Sequence, residues 1–428
     1  MKMLTSVLCA LSMATVCASM ADAAQSGSRT AAPVIAAPID NTHLVTLKGN
    51  VRVDLSAEHD LGPVEDSLPL RLYMVLQRSP AQQAALENLI ERQQQPTAPE
   101  YHQWITPQEF GERFGVSERD IAAISQWLES RGMHVNGVMN NASFIDFSAT
   151  ARDVRETFGA QLHYFDMEGG KHPALVQDPM IPAALGNVVA GIQGLNKIPA
   201  HANHTKSGQA SWDSATHRWR KAETGSGPGT KPLYSNPDID GDFDVTPQDF
   251  YTIYNVNPIF NAGTKGATAT VAVVEETDIV YGTVNSTTHA ATGGDVQTFR
   301  TLFGVPGTLN MHVYHGYGTV TCNDPGVDPN GNGEQGEAAL DAEWASALAP
   351  AANLIFMSCD QSVNNGIISS EAALIDNNIA DVMSLSYGHS ELTFAAAEYT
   401  SQDTLFAQAA AQGQSFIVSS GDAGSDAA

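Results

Sequence analysis

Glu337 and Asp341 stand four residues apart in the run Gly336 to Pro350 (GEAALDAEWASALAP). On a helix their directions differ by about 40°, so both carboxyls face the same way. Two carboxyls so placed can share one proton, and a neighbour or burial that raises one of them makes the pair a relay that works in acid. The plainer reading is that acidic residues gather in the first turn of any helix, where they meet the positive end of its dipole. The small residues Ala338, Ala339, Ala342, Ala345 and Ala347 favour chemistry, because they imply close approach to a sheet and leave acids where a core helix carries apolar groups. Glu343 is expected on the opposite, solvated side. A glycosidase pair is disfavoured, since carboxyls on adjacent turns face one side of a bond rather than flanking it.

Three other places carry candidate chemistry. Asp422 lies in Ser419 to Gly424 (SSGDAG), directly after an apolar strand, where doubly wound sheets place ligands; read by itself the segment is a turn. Tyr387 and Gly388 close the strand-end run SLSYG, with Glu391 after it, as a substrate contact or as a half-buried aromatic. Glu275 ends the first core strand and is expected to hydrogen-bond Glu337. Of the four cysteines, Cys9 and Cys17 fall in an N-terminal leader, and the remaining pair, Cys322 and Cys359, reads as one disulfide in an oxidising compartment. No metal-ligand spacing surrounds them.

The elements that must position these groups are legible as two patterns. In the first half, Leu70 to Leu76 (LRLYMVL) reads as a strand, Gln82 to Gln94 as a helix, and Ser117 with Asp120 as a capping box for a helix faced by Ile121, Ile124, Trp127 and Leu128. Strands His134 to Val138 and Phe144 to Phe147, a helix Ala151 to Phe158 and a strand Leu162 to Phe165 complete a small α+β unit. Between Pro199 and Val245 the pattern gives way to His, Ser, Gly, Pro and Asp, including Gly225 to Gly229, an exposed linker open to proteolysis. From Pro247 onward a continuous apolar strand, Thr268 to Val274, opens an alternation of helices (Glu337 to Leu348, Ser370 to Asn377, Ala395 to Gln412) and strands (Leu354 to Met357, Val382 to Ser386, Ser415 to Ser419). That is a doubly wound α/β pattern.

The 428 residues are 43% hydrophobic, with 47 acidic against 21 basic side chains and a formal charge of −26. Nucleic acid and anionic membrane are poor partners for such a surface. Met1-Lys2, the apolar run Leu4 to Ala18 and the small residues at Ala21 to Ala23 read as a secretory signal, so an exported product is expected, extracellular or periplasmic. The boundaries read as a signal at 1–23, a flexible N-terminus at 24–44, an α+β unit at 45–196, a linker at 197–244 and a doubly wound portion at 245–428.

Glu337, Asp341 and the Ala-rich run ending in Ala349-Pro350 resemble the helix of the sedolisin family, serine-carboxyl peptidases, that bears the Glu and Asp of a Ser-Glu-Asp triad. Pro99 to Gly115 (PEYHQWITPQEFGERFG), Ser117 to Gly132, Phe144 to Phe147, Phe158-Gly159 and Ile181-Pro182 resemble the pro-kumamolisin activation domain. The resemblance implies a subtilisin-like doubly wound parallel sheet, C-terminally incomplete, preceded by a ferredoxin-like pro-domain that inhibits its own chain. It makes Glu337 the general base, Asp341 its orienting partner, Asp422 a protonated oxyanion donor, and Tyr387 and Gly388 part of the substrate groove. It implies polypeptide substrates and a Ca²⁺ site whose ligands are not in this chain; a monomer is the default. The family's Gly-Thr-Ser nucleophile has no match among the 428 residues, and neither Ser386 nor Ser420 takes its place in the motif. The expectation is a precursor of an acid endopeptidase whose serine lies past residue 428; the alternative is a non-catalytic homologue whose pro-domain binds a related peptidase.

Overall fold

The computed structural model describes residues 31–167, 170–202, 210–213, 218–221, 245–328, 334–362, 365–388 and 393–421. The signal at 1–23, the Gly225 to Gly229 run, Glu391 and Asp422 lie outside the described residues.

The first half contains β1 (Pro69–Leu76), α1 (Pro80–Gln93), α2 (Pro107–Phe114), α3 (Glu118–Ser130), β2 (His134–Val138), β3 (Phe144–Thr150), α4 (Ala151–Phe158) and β4 (Val189–Gln193). These four strands form one sheet in the order β2-β3-β1-β4, each pair antiparallel. The expected strand at Leu162 (Leu162–Met167) pairs with Asp60–Pro63 and Gly170–Leu175 in a separate sheet, and Leu44–Thr46 pairs with Met180–Pro182. Helix starts are set locally. Ser117 Oγ accepts from the Asp120 N–H at 3.1 Å, and Ser79 and Thr106 make capping boxes with Gln82 and Glu109. Pro80 at the first position of α1 explains why that helix begins two residues before the expected Gln82.

Apart from Arg71, whose guanidinium pairs with Asp146, β1 is apolar because both of its faces are covered. Leu70, Leu72, Met74 and Leu76 point into a core with Ile124, Leu128, Phe147, Val154 and Phe158, while Tyr73 and Val75 on the other face join Phe144 in a second core. That second core is shared with the other half of the chain through Ala272, Ile368, Ala372 and Leu385.

The second half contributes β5 (His201–Ala202), β6 (Thr270–Glu275), α5 (Gly294–Leu302), β7 (Asn310–Tyr314), α6 (Gln335–Leu348), β8 (Asn353–Ser358), α7 (Gly366–Asp376), β9 (Val382–Leu385), β10 (Tyr387–Gly388), α8 (Ala396–Ala411) and β11 (Ser415–Val418). Five strands run parallel in the order β7-β8-β6-β9-β11, and two short antiparallel strands, Thr283–Val284 and Ala290–Thr292, extend the β7 edge. The chain leaves β6 to one side and returns across it to the other, so the crevice at the carboxyl ends lies around β6. α6 packs on one face through Ala338, Ala339 and Ala342 against Val273 and Phe356. α7 and α8 pack on the opposite face, through Ala372, Ala373, Leu405 and Ala409.

Polar contacts bind the halves as well. The Tyr73 hydroxyl lies 2.8 Å from Ser369 Oγ on α7, and the Asn140 and Asn141 N–H groups donate to the Asp376 carboxylate at 2.6 and 2.8 Å. The segment expected to be an exposed linker is more structured than its composition implied. Ala210–Asp213 pairs with Arg218–Lys221, and β5 pairs antiparallel with β10. Polar, Gly-rich composition removes the burial signal without removing backbone pairing, which needs no apolar side chain.

Cys322 and Cys359 are bonded, with Cα atoms 5.6 Å apart and a sequence separation of 37. By loop-closure entropy such a bridge stabilises by roughly 4 kcal/mol. Replacing both cysteines by Ser is expected to lower the urea midpoint of unfolding and to steepen its slope as the unfolded chain expands; an unchanged midpoint would show that the bridge constrains nothing in the unfolded chain.

Candidate active site

The carboxyl end of β6 is a cluster of acids. Glu275, the last residue of the strand, is wholly buried and followed by the buried Glu276. α6 crosses this end of the sheet and delivers Glu337, 4% exposed, and Asp341 one turn later. The Ala-rich packing face of α6 makes this possible, since bulkier residues would hold the carboxyls away from the strand. Ser386, the residue after β9, donates its hydroxyl to Asp341 Oδ1 at 2.9 Å. Tyr387, 2% exposed, faces inward toward Glu275.

The electrostatics favour protons. Burial first and the Asp341 charge second push the Glu275 carboxyl well above the usual range; Tyr387 pulls the other way, and Glu337 and Glu276 add to the rise. Asp341 is pushed up to about 6 by burial, against the lowering influence of Ser386 and Glu275. Glu276 is pushed up to about 8 by burial and then by Glu334. Four carboxyls packed this closely cannot all ionise cheaply, so the cluster retains protons at a pH where separate carboxyls have lost theirs.

The structure brings Glu275, Glu337, Asp341 and Tyr387 together. Gly388 follows in β10, paired with His201 rather than with another strand of the large sheet. Glu275 meets Glu337 through charge and not through the expected hydrogen bond. Glu343, expected in solvent, is instead half-buried, and burial followed by Asp295 pushes its carboxyl well above the usual range. The reason is that α5 covers the flank of α6 that the helical wheel leaves to water. Glu276 escaped the sequence reading, and Ser386, weighed there only as a nucleophile, escaped it as a partner of Asp341. The signal for Glu276 was its place next to Glu275 at the end of a core strand; for Ser386 it was its place at the end of β9.

Asp278, His315 and Asp324 also converge, with one ligand atom from each within 4.8 Å of the others. They do not suit Ca²⁺, which takes oxygen ligands. The His315 ring already lies 3.2 Å from both Asp278 oxygens, and Asp278 Oδ1 also accepts from Ser358 at 2.5 Å and Tyr281 at 2.7 Å. The group is an ion pair that holds the loop after β6 against the end of β8. No helix among the described residues is long and apolar enough to cross a membrane.

Comparison with known proteins gives this arrangement a context. Residues 56–198 match the family model described as pro-kumamolisin, activation domain. The chain is 26% identical over 381 residues to kumamolisin from Bacillus sp. (strain MN-32), covering 89% of this chain and 61% of that protein. It is 26% identical over 394 residues to xanthomonalisin from Xanthomonas sp. (strain T-22), covering 90% and 43%, and 26% identical over 348 residues to sedolisin from Pseudomonas sp. (strain 101), covering 80% and 52%. The chain thus spans between about two fifths and three fifths of the length of these relatives.

Proposed function

We propose that this chain, which resembles the sedolisin-type serine-carboxyl peptidases along most of its length, is the precursor portion of an exported acid endopeptidase. The observation that carries the reading is the buried acid cluster at the end of β6, with Glu337 and Asp341 on one face of α6. In the proposed reaction a serine hydroxyl, supplied by a segment continuing past Ala428, attacks the scissile carbonyl carbon. Its proton passes to Glu337, which Asp341 orients. The carbonyl oxygen becomes an oxyanion, for which Asp422 in its protonated form donates the hydrogen bond, as the resemblance implies. Glu337 then returns the proton to the departing amine as the C–N bond breaks, and water hydrolyses the acyl-enzyme by the same route.

Acid is required twice, for a proton retained by Asp341 and Glu275 behind the base and for a neutral Asp422. The family's Ca²⁺ belongs to the same proposal, with ligands outside the groups described. Residues 45–196 act as an inhibitory pro-domain, a ferredoxin-like unit in this reading. Two features support that role. One is the chain order of its four-stranded sheet and the helices between those strands: strand, helices, two strands, helix and strand. The other is the β5–β10 pairing, which lays the segment after it along the proposed groove as an added strand. The catalytic sheet is of subtilisin-like topology in the same reading, and maturation cleaves between 197 and 244.

The test is the gene product carried through its downstream segment, assayed on an unfolded protein between pH 3 and 5. Cleavage confined to acid, after loss of residues up to the linker, is the expected result. An intact, properly folded product that cleaves nothing would leave the non-catalytic homologue as the correct description.

A further inference from the structure

Beside β10, between the two halves, lies a pocket of about 110 Å³ whose walls include Glu371, Gln402, Leu385, Tyr387, Phe394 and Ala200. Glu371 is wholly buried, and its Oε1 accepts from Gln402 Nε2 at 3.0 Å. The other oxygens of this pair, Glu371 Oε2 and Gln402 Oε1, are buried with no hydrogen-bond partner among the described residues. Each such atom costs about 1–3 kcal/mol until it is satisfied. A wall that carries two unsatisfied polar atoms suits a polar ligand. The neighbouring strand supplies only a methyl group: Ala200 immediately precedes β5, whose Ala202 and His201 pair with Tyr387 and Gly388.

We infer that this pocket is a side-chain subsite of the peptide groove and that it takes a carboxamide side chain. The inference rests on the reading of β10 as a groove edge. Burial pushes the Glu371 carboxyl up to about 8, so in acid Oε2 carries a proton and donates while Gln402 Oε1 accepts. A primary amide offers an acceptor and a donor together and satisfies both atoms. An ammonium satisfies only the acceptor, and an aliphatic chain satisfies neither. The chain's own Ala200 leaves the pocket unfilled, so the inhibitory strand is a weaker occupant than a substrate with Gln at the same position.

The test needs no turnover. In the full chain, Ala200→Gln and the near-isosteric Ala200→Met are compared by amide exchange at residues 201 and 202 in mild acid, read by mass spectrometry. About fivefold slower exchange is expected for Ala200→Gln than for Ala200→Met, the worth of one net hydrogen bond, and adding Glu371→Leu should abolish the difference. Equal protection by Met, or a Gln advantage that survives Glu371→Leu, would overturn the subsite. Should the longer side chains prevent folding, the shorter isosteric pair Ala200→Asn and Ala200→Leu asks the same question with the same outcomes. Failure here leaves the peptidase reading intact, and an inactive full-length protein would leave the exchange result standing.

Discussion

Glu337→Gln, in the protein carried through its downstream segment, is expected to lower kcat on an unfolded protein at pH 4 by on the order of 10⁴-fold, with KM changed little. The amide keeps the shape of the side chain but cannot accept the serine proton, so the loss falls on the chemical step rather than on binding. Asp341→Asn should fall in the same range, because Asp341 orients Glu337 and accepts from Ser386 at 2.9 Å. Glu343→Gln is the control: it sits on the same helix, away from Glu275, with its carboxyl already held toward the protonated form. Its kcat/KM should stay within about twofold of the parent's, since it touches no reacting group. Loss of activity in Glu343→Gln equal to that in Glu337→Gln would mean that α6 matters as a structural element and not through a catalytic pair.

The second large effect is on stability, and its sign is opposite to that of most acidic proteins in acid. The buried acids Glu275, Glu276, Asp341, Glu371 and Asp376 all have raised folded-state values: about 8 for Glu276 and Glu371, about 6 for Asp341 and Asp376, and for Glu275 a rise in direction alone. Burial is the largest cause in each. A raised acid binds protons more tightly in the folded chain than in the unfolded one, so stability falls as pH climbs from the unfolded values near 4 through the folded values. Between pH 4 and 8 the expected loss is on the order of 10 kcal/mol or more, a fall in Tm of more than about 10 °C. Asp278 and His315 act at opposite ends. Burial raises the Asp278 carboxyl but His315 and Ser358 outweigh it, so its contribution is lost only in stronger acid. His315, lowered by burial and raised more by Asp278, loses its own as pH climbs past its ordinary value. Glu276→Gln should flatten the slope between pH 6 and 8. A Tm that rises from pH 4 to 8 would show that these acids are not buried in the folded protein.

The candidate pair was readable from sequence because four-residue spacing on an Ala-rich helix is a local property, and local geometry fixed the direction of both side chains. The N-cap at Ser117 and the continuous apolar core strands were legible for the same reason, although Asp120 turns its carboxylate to the Val34 and Ile35 N–H groups instead of closing the expected box. What was missed depends on contacts distant in sequence. Glu371 looks like an ordinary helix acid until α8 and the pro-unit close over it, and Glu343 looks solvated until α5 is placed beside it. α7 begins at Gly366 rather than Ser370 because its first turn is held by neighbours and not by a capping side chain, so no local signal marked the start. β5 consists of two residues, too few to carry a period, and is recognised only by its partner β10.

Everything in the functional proposal depends on protons being held in the cluster at the end of β6. Carboxyl-carbon NMR of the full chain, with Asp and Glu labelled and Asp341→Asn used for assignment, measures this directly. An Asp341 resonance titrating near pH 6, moved when Glu275 is changed to Gln, is the expected result. An Asp341 titration near the ordinary value of about 4, indifferent to Glu275, would contradict the account.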